Sequence, residues 1–235
     1  MNIAVIPARG GSKRIPRKNI KLFCGKPMIA WSIEAAILSK CFDRIVVSTD
    51  DAEIADVAKA CGCEVPFIRP AELADDYVGT IPVVAHAVEW VERHWGAVDF
   101  ACCIYATAPF ILPQDLRNGF DALRQTSAEY AFAVTTYAFP IQRAIRVRSD
   151  NRVEMYQPEF YGTRSQDLEE AFHDAGQFYW GRAGAWLTGL PLFSSNAVSV
   201  HLPRFRVQDI DTFDDWTQAE LIFNLLNRCG TKNDI

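Results

Sequence analysis

Apolar and polar positions along the chain predict strands and helices that follow one another in turn. Short apolar runs, typical of parallel strands covered on both faces, alternate with stretches whose apolar residues recur at helical spacing. We predict strands at 3–6, 43–49, 64–68, 100–105, 130–136 and 173–182, and helices at 28–38, 52–60, 80–95, 114–125 and 213–226. This order predicts an α/β fold with a doubly wound, mostly parallel, Rossmann-like sheet that binds ligands at the carboxyl ends of its strands.

The alternating pattern stops between residues 137 and 172. Within that segment, polar and apolar residues alternate at 144–153 around a Ser-Asp-Asn turn, which predicts a β-hairpin outside the main sheet. We therefore expect one domain over residues 1–235 with a small β-rich excursion at about 137–172. A lid over the bound ligand is one interpretation of this excursion.

The composition predicts the cellular location of the protein and the redox state of its cysteines. The chain has no uninterrupted apolar stretch of about 18 residues and begins directly with a predicted strand, so we expect a cytoplasmic protein without a membrane segment. Its seven cysteines include no CxxC pair with zinc spacing. We therefore expect reduced, mostly buried thiols with no metal role.

A basic segment follows the first predicted strand. Between Arg9 and Lys21 there are six basic residues and no acidic one, whereas the whole chain has a net charge of −5. Once those six cations are set aside, the rest of the chain carries −11. A cationic loop on an acidic protein predicts one small anionic ligand and argues against a nucleic-acid partner.

The same loop has the parts of a phosphate site. Glycines at 10 and 11 leave main-chain N–H groups open to phosphate oxygens, a serine hydroxyl adds a donor, and an arginine and two lysines supply charge. The predicted nucleotide-binding residues here are Ala8, Arg9, Gly10, Gly11 and Ser12, and the cations predicted to act in catalysis are Arg9, Lys13 and Lys18. The alternative is a solvated basic loop. Neither the Walker pattern nor GxGxxG is present.

Two acidic residues lie near the other end of the chain. Asp209 and Asp211, in VQDIDTF, are two positions apart, so both carboxylates point the same way on an extended segment. Such a pair repels unless a cation lies between its members, and Mg²⁺ prefers oxygen ligands. We therefore predict a Mg²⁺ site. The alternative is that Asp211 or Thr212 caps the following helix.

The strings PARGGSK at 7–13, KN at 18–19 and GKP at 25–27 resemble sugar-activating nucleotidyltransferases, most closely the cytidylyltransferases that attach CMP to nine-carbon acidic sugars. The resemblance implies CTP as the nucleotide, Asn19 in its site, a metal on the aspartate pair, and a homodimer clasped by the excursion. Arg69 and Thr80 match positions that lie near the nucleotide in this family. Their alternatives are a surface arginine and a helix N-cap.

The sugar end departs from the pattern of the enzymes that activate neuraminic acid. Where those relatives read LQPTSP, this chain has Tyr105 in place of the glutamine and Ala106 in place of the first proline. An aromatic residue at that place predicts a different sugar pocket. The string DAGQFYWG at 174–181, with the ATAP turn at 106–109, resembles the subgroup that activates pseudaminic acid. The predicted sugar-binding residues are Tyr105, Thr107, Gln177 and Tyr179, and a structural role is favoured over a catalytic one for His173.

The predicted function is the transfer of CMP from CTP to the anomeric hydroxyl of a nonulosonic acid, with pseudaminic acid as the favoured substrate and pyrophosphate as the second product. N-acetylneuraminate, another nonulosonate or deoxy-octulosonate is the alternative substrate. A nucleotide-sensing module without catalysis is the competing class, but such a module would not need Asp209 and Asp211.

Overall fold

The computed structural model describes residues 1–75 and 77–230. Its strands are β1 (Asn2–Pro7), β2 (Leu22–Phe23), β3 (Lys26–Pro27), β4 (Arg44–Ser48), β5 (Phe100–Ile104), β6 (Tyr130–Thr136), β7 (Ile145–Val147), β8 (Val153–Met155), β9 (Phe172–Arg182) and β10 (Ala197–His201). Its α-helices are α1 (Met28–Ser39), α2 (Ala52–Ala60), α3 (Thr80–His94), α4 (Pro113–Arg124), α5 (Ala183–Leu187) and α6 (Phe213–Gly230). Of these elements, β2, β3, α5 and β10 were not predicted from the sequence.

The main sheet has six strands in the order β10-β6-β9-β5-β1-β4. β9 is antiparallel to both neighbours, whereas the other adjacent pairs are parallel. Residues of α1 and α4 pack in one buried cluster and residues of α3 and α5 in another, each with residues of the sheet strands. The predicted mostly parallel sheet with helices on both faces is therefore confirmed.

β1 is an interior strand of this sheet, next to the edge strand β4, and it is apolar on both faces. Its residues Ile3, Ala4, Val5 and Ile6 are fully buried, between β4 on one side and β5 on the other. Burying one large aliphatic side chain contributes about 1.5–3 kcal/mol, so this short strand is firmly held. The basic loop that follows β1 therefore starts from a fixed point at the carboxyl edge of the sheet.

The strand predicted at 64–68 is wrong as a continuous element. Only two isolated bridges join this segment to β4 and its end, at Val46–Glu64 and Thr49–Ile68. The Glu64 N–H donates to Ile45 O, and in a regular parallel ladder the N–H of residue 66 would donate next. That residue is Pro66, which has no N–H, so the ladder is interrupted there.

The hairpin predicted outside the main sheet is present. β7 and β8 pair antiparallel in a separate two-stranded sheet. The turn between them contains Asn151 at a φ of 60°, a conformation that asparagine tolerates better than most residues. Among the described residues, no helix is both long enough and apolar enough to cross a bilayer.

Candidate active site

A cleft of about 520 Å³ opens beside the carboxyl ends of β1 and β5. The basic loop contributes residues to its wall, among them Arg9, Ser12, Lys13, Lys18 and Asn19. The remaining wall includes Arg69, Thr80, Tyr105, Thr107 and Asp211. Ten of the residues predicted to form the site therefore border one cavity, as expected for ligands of a doubly wound sheet.

The basic loop and the aspartate pair meet at this cleft, although they are 193 positions apart in the sequence. Lys18 Nζ donates to Ile210 O at 2.8 Å and lies 3.3 Å from Asp211 Oδ1. Arg14 Nη2 lies 2.7 Å from Asp211 Oδ2. Cations from the first loop therefore hold one carboxylate of the pair.

Asp209 does not border the cleft, but its carboxylate interacts electrostatically with Asp211 and Lys18. Burial raises the pKa of the Asp209 carboxyl, and the neighbouring Asp211 raises it further, while Lys18 acts in the opposite direction. The two carboxylates are thus close enough to repel each other. A cation shared between them would relieve that repulsion.

The helix after this pair is capped without the help of the Asp211 side chain. Thr212 Oγ1 accepts from Asp215 N at 3.2 Å, and Asp215 Oδ2 accepts from Thr212 N at 2.7 Å, a reciprocal pair of the capping-box kind. The Asp211 N–H also donates to Asp215 at 3.1 Å. Thr212 is therefore the residue that caps the helix, and the Asp211 carboxylate faces Lys18 and Arg14 instead.

Gly10 has a different role from the one predicted for the loop glycines. Neither Gly10 nor Gly11 has a left-handed φ. The Gly10 N–H donates to Asp50 Oδ1 at 2.9 Å, and the N–H of buried Ala8 donates to Ser48 O at 2.9 Å, so both amides bind protein oxygens. A Cβ at Gly10 would lie only 2.6 Å from Asp51 Oδ2. Gly10 is therefore required for close packing.

The carboxylate of Asp51 beside Gly10 is fixed from two sides. Arg17 Nη1 lies 2.5 Å from Asp51 Oδ2, and Asp51 Oδ1 accepts from Ile54 N at 3.0 Å as the N-cap of α2. The hydrogen bond from Arg17 lowers the pKa of Asp51 to about 2. Asp51 thus caps α2, and its ion pair with Arg17 ties the basic loop to this helix.

We expect Gly10→Ala to destabilise the fold and Gly11→Ala to leave it nearly unchanged. At position 10 the new methyl group meets a carboxylate that cannot move, and such overpacking costs about 1–3 kcal/mol. At position 11 the new methyl group would have no atom beyond its chain neighbours within 4 Å, so the free energy of unfolding should change by less than about 0.5 kcal/mol. Urea denaturation of both variants measures the difference, and equal stabilities would contradict this account of Gly10.

Arg69 and Thr80 also border the cleft, and their surroundings exclude the alternative interpretation of each. Arg69 is only 5% exposed, and its guanidinium donates to Ser48 Oγ at 3.1 Å and to Ser48 O, so it is not a surface arginine. Burial lowers the pKa of Arg69. Thr80 is the first residue of α3, whose N-cap is Gly79, and Thr80 Oγ1 lies 3.0 Å from the Tyr105 hydroxyl.

The other predicted sugar-binding residues lie behind the cleft wall. Gln177 is buried, and its Nε2 donates to Arg206 O at 2.6 Å, while its Oε1 has no hydrogen-bond partner within residues 1–75 and 77–230. Tyr179 is 2% exposed and donates its hydroxyl proton to Asp174 Oδ2 at 2.6 Å. His173 Nδ1 lies 2.9 Å from Asp174 O, and the ring packs against Tyr137, away from the cleft.

Arg14 is a site residue that the sequence prediction left out. It borders the cleft and forms the shorter of the two ion pairs to Asp211. Its membership in the cluster of six cations was the signal that could have identified it. Position within the cluster could not separate Arg14 from Arg17, which turns away toward Asp51.

Comparison with known proteins agrees with this geometry. The family model described as cytidylyltransferase matches residues 3–201. Pseudaminic acid cytidylyltransferase of Campylobacter jejuni serotype O:2 is 43% identical over 224 residues, which cover 95% of this chain and 97% of the relative. CMP-N,N'-diacetyllegionaminic acid synthase of Legionella pneumophila is 31% identical, over 95% of this chain and 96% of the relative.

A solved structure shares the fold. CMP:2-keto-3-deoxy-manno-octonic acid synthetase, complexed with CTP, matches with a TM-score of 0.69 over 95% of this chain and 98% of that one, at 19% identity. The resemblance that the PARGGSK loop indicated is confirmed by the sequence relatives. This chain belongs to the cytidylyltransferase family, in which it is similar to the enzymes named for pseudaminic acid.

Proposed function

We propose that this protein transfers CMP from CTP to the anomeric hydroxyl of pseudaminic acid and releases pyrophosphate. The observation that carries the proposal is the meeting of the basic loop and Asp211 at one cleft of about 520 Å³. A cavity of that size accommodates a small ligand. CTP is a cytoplasmic metabolite, which agrees with the cytoplasmic location expected from the sequence.

The cations of the cleft supply electrostatic stabilisation. Arg9, Lys13 and Lys18 border the space in which a triphosphate would lie. As the sugar oxygen forms its bond to the α-phosphorus, the bond to pyrophosphate breaks, and the sugar hydroxyl gives its proton to water. Negative charge then grows on the leaving group, and fixed cations offset it without reorganising. No side chain has to act as a nucleophile.

The aspartate pair fits a divalent cation. Asp209 and Asp211 would be its protein ligands, because the charge of Asp211 raises the pKa of Asp209 and a cation between them would relieve that repulsion. Within residues 1–75 and 77–230, no group of three or more His, Cys, Asp or Glu residues that could hold a metal is present. Mg²⁺ suits such a site because it commonly takes one or two carboxylates and completes its shell with phosphates and water. When bound, Mg²⁺ would polarise the α-phosphate and lower the pKa of the attacking hydroxyl.

The sugar assignment rests on two of the residues that border the cleft and on the relatives. Tyr105 and Thr107 border the cleft, and two enzymes that are 43% and 44% identical over 95% of the chain are named for pseudaminic acid. The legionaminic acid and N-acylneuraminate enzymes are less similar, at 31% and 33% identity. N-acetylneuraminate or a related nonulosonate is therefore the second candidate.

Pyrophosphate release tests this function. The purified protein is given each nucleoside triphosphate in turn with pseudaminic acid, N-acetylneuraminate or deoxy-octulosonate, with and without Mg²⁺. We expect the highest kcat/KM with CTP and pseudaminic acid and a requirement for the metal. A preference for another triphosphate, or no release with any of these sugars, would refute the proposal.

We also propose a homodimer joined through the excursion at 137–172. Several large apolar side chains are exposed there, including Phe139 at 82% and Tyr161 at 79%, and Val147 and Val153 pair across β7 and β8 with both side chains exposed. A second subunit would remove these surfaces from water. Sedimentation equilibrium should give twice the chain mass of 26.4 kDa, and a monomer at micromolar concentration would contradict the dimer.

A further inference from the structure

A buried ion pair outside the cleft joins the start of α4 to the segment that precedes the aspartate pair. Arg206 Nη1 lies 2.5 Å from Asp115 Oδ2 and Arg206 Nη2 lies 3.1 Å from Asp115 Oδ1, so the guanidinium binds both carboxylate oxygens. The side chain of Asp115 is 7% exposed and that of Arg206 is 14% exposed. Two charges are costly to remove from water, and apolar residues of similar volume often stabilise a fold equally well. The pair therefore points to a role other than stability.

The carboxylate of this pair is held on a rigid element. Asp115 lies in the first turn of α4, and its Oδ2 also accepts from Leu112 N at 2.9 Å. Arg206 Nη1 lies 3.4 Å from Phe110 O, just before that helix. Leu116 of α4 is fully buried in a cluster with residues of the sheet. The position of the guanidinium is therefore fixed relative to the sheet.

Arg206 also lies at the beginning of the segment that carries the aspartate pair. It comes three positions before Asp209, and residues 207–212 form neither a helix nor a strand. The main-chain O of Arg206 accepts from Gln177 Nε2 at 2.6 Å, which ties this residue to β9. Ile210 is 2% exposed and packs in another buried cluster. Asp209 is therefore carried between two anchored positions, 206 and 210.

We propose that Arg206, held by Asp115, is a positioning residue for the metal site: it fixes the main chain before Asp209 so that both carboxylates of the aspartate pair face one Mg²⁺. Mg²⁺ demands nearly ideal octahedral geometry, so a shift of one ligand weakens its binding. This inference rests on the proposed function and its metal site. It adds two residues that do not border the cleft.

Asp115→Asn tests this role with the smallest change. The single oxygen of asparagine can still accept from Leu112 N, but its NH₂ group would face an N–H of Arg206, donor against donor. We expect the Kd of the Mn²⁺–CTP complex, measured by water-proton relaxation, to rise about 10-fold, while the Kd of CTP in EDTA stays within about 2-fold. A purely structural role would lower the urea midpoint without separating these two constants.

A double variant separates positioning from stability. Arg206→Met alone would leave the Asp115 carboxylate buried without a partner and would weaken the fold. Asp115→Leu combined with Arg206→Met replaces the pair by apolar side chains, so the urea midpoint should stay at or above that of wild type. Binding of Mn²⁺–CTP should still weaken about 10-fold, because no directional contact then fixes position 206.

Leu123→Ala is the matched control, because Leu123 is a fully buried residue of the same helix that does not contact Arg206. The cavity should lower the urea midpoint and leave the Kd of Mn²⁺–CTP within about 2-fold of wild type. Unchanged Mn²⁺–CTP binding in both Asp115→Asn and the double variant would overturn the inference, as would equal weakening of CTP binding with and without the metal. These measurements need no sugar, so a lack of turnover with pseudaminic acid would refute the proposed function separately.

Discussion

Lys18→Ala is expected to lower the kcat of CMP transfer by about 10²- to 10³-fold, equivalent to about 3–4 kcal/mol of transition-state stabilisation. Lys18 is only 18% exposed, and its Nζ is held by Ile210 O at 2.8 Å and Asp211 Oδ1 at 3.3 Å. Its charge is therefore fixed at the edge of the cleft before the substrate arrives. Alanine would leave the growing charge of pyrophosphate without this partner.

Stability should change much less than turnover, because the ion pair of Lys18 is partly solvated. We expect the urea midpoint of Lys18→Ala to stay close to that of wild type. Lys21→Ala is the matched control: Lys21 belongs to the same loop but lies over the rings of Phe213 and Trp216 and does not border the cleft. Formation of CMP-sugar by Lys18→Ala at the wild-type rate would contradict the role of Lys18.

Local sequence patterns were sufficient to predict the secondary-structure elements that surround the basic loop. The uncharged run at 3–6 predicted a strand buried on both faces, and β1 is that strand. Apolar residues at helical spacing predicted a helix at 52–60, and α2 spans those residues. These predictions succeed because each depends on neighbours within a few residues in the sequence.

The predictions that were wrong depend on interactions between segments that are distant in the sequence. Pro66 interrupts a ladder whose donor positions depend on the pairing with β4, which the apolar pattern alone does not reveal. The need for glycine at position 10 comes from Asp51, some forty positions away. Gln177 and Tyr179 were predicted to bind the sugar, but both are buried and neither borders the cleft.

The sequence predicted the basic loop and the aspartate pair as two separate motifs, but not the contact between the loop and Asp211. Two local signals, a cationic turn and a pair of acids, indicated one phosphate site and one metal site. The strand order places β10 at a sheet edge four strands from β1, so their convergence depends on the segment after β10 returning to the basic loop, as the bond from Lys18 to Ile210 O shows. Arg14 could be assigned to this contact only from coordinates.

Asp209→Asn is expected to change activity and stability in opposite directions. Burial and the charge of Asp211 raise the pKa of Asp209 in the folded state, so the ionised carboxylate costs stability above its pKa in the unfolded chain. A neutral amide removes that cost, and the free energy of unfolding at pH 7 should rise. The advantage should shrink as the pH falls, because Asp209 itself becomes protonated in the wild type.

Activity should fall in Asp209→Asn and further in Asp211→Asn, by at least about 100-fold in kcat, because each variant loses a charged oxygen ligand for Mg²⁺. The metal role has a readout besides turnover: binding of the Mn²⁺–CTP complex, followed by water-proton relaxation, should weaken in both variants. Asp214→Asn is the control, because Asp214 is an exposed residue in the first turn of α6. Normal Mn²⁺–CTP binding in Asp211→Asn would contradict the metal role and show that this carboxylate serves only to hold Arg14 and Lys18. The stability cost of the ionised Asp209 beside it would then have no explanation in catalysis.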